Sequence, residues 1–278
     1  MPEGTAPLQL RVVPTEDGLG VLTWDGTCSG SSAEAARFWA DRAARDVVSA
    51  VLEAAFSAGT RRVEVEVPVA DRDVRRTLHR AGMRPEGTAR GRGTGADGRP
   101  VDVVRLARLA DDAPPGTREG FISMLNATLP TKRVIGQGVI RDGAGSVLLC
   151  ELVYKREWDL PGGVVDPRES PAHTVAREVG EELSVSLAPG RLLAVNWLPP
   201  YRQWEDAVLL VFDLGVHPDL VDRVVLERSE LRAVHWCRPE ELGDHVAPYV
   251  ERHLTRILAA DPAAGPLYLE DGTPPGGE

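Results

Sequence analysis

Cysteine is scarce in this chain: there are three in 278 residues, Cys28, Cys150 and Cys237. Their wide spacing and odd number exclude a disulfide framework and a zinc ribbon. Buried or idle thiols in a reducing cytoplasm are the expectation. Long apolar runs are missing too, and none approaches the roughly 18 residues of a membrane-spanning helix. The opening MPEGTAPLQL has neither the basic start nor the apolar stretch of a signal peptide. Positive charge is in short supply: 32 Lys and Arg stand against 42 Asp and Glu, a formal net charge of −10. The acidic excess falls mainly in the second half, which argues against general nucleic-acid binding, since that needs a positive footprint. A small anionic substrate is still allowed, provided a cation comes with it from solution.

What is present suffices for ordinary folding. The hydrophobic fraction is 42%, enough for normal cores, and the length suggests about two domains. Pro, Gly and charge cluster in DDAPPGTREG, so a first domain is expected over 1–112, a linker over 113–122 and a second domain over 123–260. The Pro- and Gly-rich stretch 261–278 reads as a disordered tail. In the first domain, strand-like LQLRVV and GVLTWDG precede a long amphipathic helical region over 33–59, whole or broken once. Alternating RRVEVEVPV then predicts a half-buried strand, DVRRTLHRAG a short helix with a Gly stop, and the remainder two antiparallel strands. The second domain mixes strands and helices with few parallel crossover units, which predicts an α+β fold.

The informative segment is WDLPGGVVDPRESPAHTVAREVGEELSV, residues 158–185. Ser170 can cap a helix and Pro171 suits its first turn. At 100° per residue, Ala172, Val175, Ala176, Val179 and Leu183 gather on one side, while Glu178, Glu181 and Glu182 occupy a separate arc of about 100°. Like charges at that spacing destabilise the helix by a few tenths of a kcal/mol each, and acids near its C-terminus oppose the helix dipole. A divalent ion with a taste for hard oxygen ligands reverses that balance, and Arg177 offers a second way to neutralise the cluster. A solvated acidic helix face is the plainer reading of the helix taken alone.

The loop before the helix makes the pattern specific. Gly163, Glu169, Arg177-Glu178, Val179, Glu181-Glu182 and Val185 fall in register with the box G-x5-E-x7-R-E-U-x-E-E-x-G-U, U being a bulky aliphatic. Residues 125–258 thereby resemble the Nudix hydrolase family. Ser184 is the departure, standing where the box has glycine. It removes no ligand and puts the turn geometry in question. The resemblance implies an α/β/α sandwich with a mixed sheet. It also implies a Mg²⁺ (or Mn²⁺) site made by Glu178, Glu181, Glu182 and the carbonyl of Gly162. Arg177 would orient the glutamates, with Gly163 and Glu169 in support. Water would attack one phosphorus of a nucleoside diphosphate linked to another moiety, with Glu178 or Glu230 as base. Glu205 and Asp206 rival Glu230 for the role of the acid outside the box. Lys155, Trp158, Tyr201, Arg202 and Trp204 lie near predicted loop edges and are candidates for meeting a base or phosphate.

The first domain, from RRVEVEVPV through DGRPVDVVRLARL, resembles the C-terminal half of the GNAT acetyltransferases. The family's acetyl-CoA loop is not recognisable in TCSGSSAEAA, where Gly30, Ser31 and Ser32 are the amides on offer. The expectation is a truncated, non-catalytic α/β domain that assists folding, homodimerisation or substrate cover. Three functions stay open on the sequence: a cytoplasmic metal-dependent diphosphate hydrolase, a nucleotide-sensing module that does not turn over, and an acetyltransferase. None involves nucleic acid or membrane.

Overall fold

The computed structural model describes residues 8–24, 33–201, 204–261 and 263–276. It divides into two units, Met1–Pro130 and Thr131–Glu278. The first unit runs β1 (Leu10–Pro14), β2 (Leu19–Trp24), α1 (Ala33–Ala40), α2 (Ala44–Ser57), β3 (Arg62–Pro68), α3 (Arg72–Arg80), β4 (Arg84–Thr94), β5 (Pro100–Leu109) and α4 (Arg118–Thr128). The long helical region is broken between α1 and α2, where the Asp41 carboxylate accepts from Ala43 N at 2.8 Å. That local bond competes with continued helix, as Asp side chains do. The strand order is β1-β2-β3-β5-β4. Only β2 and β3 run parallel, and they pair over just three residues each. Strand β3 alternates as expected, with Val63, Val65 and Val67 buried beside Leu52, Leu78 and Leu106.

The second unit runs β6 (Arg133–Arg141), β7 (Val147–Leu152), β8 (Gly162–Val164), α5 (Pro171–Leu183), β9 (Leu192–Leu198), β10 (Ala207–Val216), β11 (Leu231–Cys237), α6 (Leu242–His245), α7 (Pro248–Ala259) and β12 (Leu267–Glu270). Its sheet has the order β11-β7-β6-β10-β9-β12, with β8 added against β6. The β6–β10 and β9–β12 pairs are parallel and the rest antiparallel, so the sheet is mixed. Successive strand residues point to opposite faces, and here both faces are covered. Leu148 packs with Val175, Val179 and Leu183 of α5, while Leu149 packs with Val250, Leu254 and Ile257 of α7. Gly136 on β6 brings α5 close to the sheet, since a Cβ there would lie 2.8 Å from the Pro171 carbonyl oxygen. The result is a helix–sheet–helix sandwich, and no helix among the described residues is long and apolar enough to cross a membrane.

Two expectations need correction. The stretch 113–122 is not a plain linker, because α4 begins inside it. Thr117 caps that helix, its hydroxyl accepting from Gly120 N at 3.1 Å, and the division between units falls after Pro130. Nor is 261–278 a disordered tail. Leu267–Glu270 adds β12 to the sheet edge in parallel with β9. Leu269 is 1% exposed in the core under α7, Gly272 N donates to Asn196 Oδ1 at 3.0 Å, and Arg252 pairs with Asp271 at 2.6 Å. The Pro- and Gly-rich composition masked a two-residue alternation, Leu267 and Leu269, that a free sheet edge can use. Leu269→Ala is accordingly expected to destabilise this unit by about 2–4 kcal/mol, read as a lowered denaturant midpoint. A midpoint unchanged within error would mean the strand is dispensable.

Candidate active site

Helix α5 begins where the sequence says it should. Ser170 Oγ accepts from His173 N at 3.3 Å, and Pro171 occupies the first turn. The apolar side of the helix is fully buried at Val175, Val179 and Leu183. Its acidic side meets β8. A Cβ on Gly163 would lie 2.2 Å from Glu178 Oε1, so only glycine lets this carboxylate rest against the strand. One residue earlier, Gly162 N donates to Glu182 Oε2 at 3.1 Å. Backbone of β8 and side chains of α5 therefore share one surface.

Arg177 is the hub of the acidic face. Its Nε and Nη2 donate to the two oxygens of Glu169 at 3.0 and 3.1 Å. Its Nη1 reaches Glu178 Oε1 and Glu181 Oε2, both at 2.9 Å. Glu169 also accepts from Thr174 Oγ1 at 2.7 Å. The Arg177 guanidinium, followed by the Thr174 hydroxyl, holds its carboxyl well below the usual range. An arginine fork of this kind fixes direction as well as charge.

The three glutamates are not equivalent. Glu181 is exposed and turned onto Arg177. Glu182 is 4% exposed. Burial, with Glu178, Glu230 and Asp159 nearby, pushes its pKa up to about 8 even though the Gly162 amide opposes this. Glu178 is raised as well, first by burial, with Arg177 opposing and Glu181 and Glu230 adding to the rise. Glu230, on the turn before β11, thus adds its charge to what both Glu178 and Glu182 feel. Its rival Asp206 is engaged elsewhere, by Lys132 and by Trp197 Nε1, and Glu205 offers its backbone carbonyl to Arg133. Among the described residues no three acids, histidines or cysteines stand at metal-ligand spacing as arranged, because Arg177 draws Glu181 outward while Glu182 turns inward to Gly162. The donor set nevertheless fits a divalent ion. It consists of hard carboxylate oxygens, and the proton affinity of its buried member, Glu182, is raised first by burial and then by the acids around it, a balance that a cation would reverse.

The remaining candidates scatter. Lys155 Nζ binds Asp159 Oδ2 at 2.6 Å. Burial alone would lower its pKa, and Asp159 more than offsets that. Trp158 is sandwiched between His235 and His245, with ring centroids 4.0 and 3.9 Å away, so its faces are already covered by side chains of the chain. Tyr201 and Trp204 form an isolated bridge, and the Trp204 ring lies under the Arg133 guanidinium. Arg202 falls outside the described residues, as do Cys28 and Gly30–Ser32.

Sequence reasoning missed Asp159 and Gln137. Asp159 is buried, accepts from Gln137 Nε2 at 2.9 Å, and carries Lys155. The only hint was its place in the WDLPGG lead-in. Ser184, the departure from the box, sits in the left-handed region at φ 56° and ψ 33°. The backbone therefore keeps the turn that glycine would make easily. Ser184→Gly is expected to stabilise the fold by about 1 kcal/mol, measured by urea unfolding with turnover unchanged. A destabilised variant would show that the serine side chain makes up for its backbone strain.

A model of the NUDIX domain matches residues 132–258. The chain is 30% identical over 137 residues to a MutT-like protein of Streptomyces ambofaciens, a match covering 49% of this chain and 82% of that protein. It is 32% identical over 109 residues to an uncharacterized Nudix hydrolase, orf19, of Rhodococcus erythropolis, covering 37% of this chain and 58% of that one. It is 25% identical over 129 residues to the nucleoside triphosphatase NudI of Salmonella arizonae, covering 41% and 87%.

Proposed function

The chain belongs to the NUDIX family of hydrolases acting on phosphorus-containing anhydrides, and from that premise we propose that it hydrolyses a nucleoside diphosphate linked to another moiety. The observation that supports this most is the packing of Glu178 and Glu182 against the backbone of β8. Glu178, Glu181, Glu182 and the Gly162 carbonyl are the groups that would hold Mg²⁺ or Mn²⁺. Bound there, the ion would offset diphosphate charge and acidify a water.

The chain's own residues supply the rest. Arg177 fixes the direction of Glu178 and Glu181 and is itself locked by Glu169. Gly163 leaves the space that Glu178 occupies. Glu178, its proton affinity raised first by burial, takes the proton of the attacking water, and a raised proton affinity favours that transfer. Oxygen of water bonds to phosphorus as the bridging P–O bond breaks. The freed phosphate leaves with the electron pair. Positioning and electrostatics dominate such a reaction, since little covalent chemistry falls to the protein.

The first unit we read as a GNAT-like, non-catalytic companion domain. The succession β3, α3, β4, β5, with β5 between β3 and β4, supports that reading.

The test is a panel of nucleoside diphosphate derivatives offered to the full chain after dialysis against chelator, with and without added Mg²⁺. Products are identified by mass spectrometry in ¹⁸O-water. Mg²⁺-dependent release of a nucleoside monophosphate, with ¹⁸O in one product, is expected. Calorimetric binding across the panel without turnover would replace the hydrolase reading with a sensing module. Loss of the base-limb of the pH profile in Glu230→Gln, with that limb kept in Glu178→Gln, would move the base to Glu230.

A further inference from the structure

The first unit contains a basic cavity. In a chain of net charge −10, a cavity of about 540 Å³ is lined by Arg45, Arg72, Arg75, Arg76 and Arg80, with His79 among them and no acidic residue in the lining. Four of these arginines come from one nine-residue helix, α3. At 100° per residue, Arg72, Arg75, Arg76, His79 and Arg80 fall within about 140° of each other. Val74, Thr77 and Leu78 occupy the opposite side and are buried. Helical like charges at three- and four-residue spacing repel. The buried side anchors the helix, and His79 and Arg80 in its last turn suit the helix dipole, but Arg72 and Arg75 have neither that placement nor, among the described residues, an ion pair.

The charge is only partly met from within. Arg45 pairs with Asp46 and Arg76 with Asp73, both pairs more than half exposed. Among the described residues Arg72, Arg75 and Arg80 form no ion pair. The Arg75 Nε is buried with no hydrogen-bond partner, a state that leaves the desolvation of a charged donor unmet. His79 Nδ1 stands 3.0 Å from the Met83 carbonyl oxygen, which assigns Nδ1 as the donor. The other side of the cavity has different chemistry. Helix α4 supplies Phe121, 59% exposed, and Met124. An apolar wall thus faces a guanidinium wall.

We propose that this cavity binds a small molecule that carries two or more phosphates on an apolar ring or chain. Its phosphates would lie along Arg72, Arg75, Arg76 and Arg80, and its ring or chain would rest on Phe121 and Met124. The volume is within the range of small-ligand pockets, about 300–1,000 Å³. Arginine forks suit phosphate oxygens. The four arginines of α3 span about 12 Å along the helix axis, longer than one phosphate. The lining lies wholly within the first unit, and the proposal does not depend on the hydrolase reading.

The test is calorimetry on the full chain carrying Glu182→Gln, in chelator, titrated with inorganic pyrophosphate, ADP and adenosine. Arg72 and Arg76 are exposed, so the double variant R72Q/R76Q is expected to keep the wild-type circular dichroism. The expected result is binding of pyrophosphate, tighter binding of ADP, and none of adenosine. Affinity for ADP should fall at least tenfold in R72Q/R76Q, while turnover of that double variant with Glu182 intact stays unchanged. Phe121→Ala should weaken ADP and leave pyrophosphate alone. The proposal is overturned by equal ADP affinity with and without the two arginines, or by no binding of either phosphate at millimolar concentration. It is equally overturned if a single-stranded oligonucleotide binds more tightly than ADP and is lost in the same double variant.

Discussion

Glu182→Gln is expected to reduce kcat about 10²-fold or more, with circular dichroism unchanged. Even groups that merely support a metal ligand are worth about 10–100-fold when removed, and on the proposed reading Glu182 would be a ligand itself. Glutamine preserves the volume of a residue only 4% exposed. Its amide oxygen can still accept from Gly162 N, so the packing of α5 on β8 survives. What disappears is the carboxyl group that would give up its proton to hold a cation. The measurement is single-turnover hydrolysis at saturating Mg²⁺. Wild-type turnover in this variant would falsify the assignment of the reaction to this face of α5. Loss of turnover together with loss of the folded signal would instead mark Glu182 as structural, and Glu178→Gln then becomes the deciding variant.

The second large effect is on stability and runs opposite to the ordinary acid case. Glu182 has a carboxyl pKa of about 8 in the folded protein against an ordinary 4.5, chiefly because it is buried. Between those values the native chain keeps a proton that the unfolded chain has released. Stability therefore declines as pH rises from about 4.5 to about 8 and levels off above both. The ceiling for this one group is on the order of 5 kcal/mol, and Glu178, also raised, adds in the same direction. Urea unfolding of the metal-free protein from pH 5 to pH 8.5 is the measurement. Falling midpoints are expected for the wild type and a much flatter line for Glu182→Gln, which should be the more stable of the two at pH 8. Added Mg²⁺ should restore much of the wild-type loss at pH 8, since ligands that bind only the native state stabilise it. A wild-type midpoint that rises over this pH range would contradict the buried acid.

Together these two results would describe a site that opposes folding to serve chemistry. A carboxyl placed under a helix, facing other carboxyls, is unfavourable until something positive arrives. Arg177 cannot fill that need alone. It binds Glu169, Glu178 and Glu181, while Glu182 accepts from the Gly162 amide instead.

Much of the candidate site was readable from local spacing. Ser170 and Pro171 announce the start of α5, and the apolar positions at 175, 179 and 183 set its buried side. These are short-range relations, fixed by helix periodicity, whereas Gly163 was legible only as a position of the box, and the space it leaves for Glu178 is tertiary. By the same token the sequence overstated the cluster. A wheel puts Glu178, Glu181 and Glu182 in one arc, but a wheel has no inside or outside. The β8 backbone decided that Glu182 faces inward and Glu181 does not.

Other features depended wholly on residues far apart in the chain. Asp159 acquires its neighbours from β6 and the loop before it. Leu269 becomes core because β9 offers an open edge. The stretch around α3 read as a short helix with a Gly stop, and only the fold lines one cavity with its arginines and with Phe121 and Met124 of α4. The sequence by itself determined which residues could share a helix face and where helices begin, because those follow from bond geometry within a few residues. Tertiary structure alone decided which charges are buried, which are paired and which are left facing a cavity. Burial and Coulomb energy are set by what folds back against a side chain, and local spacing does not encode that.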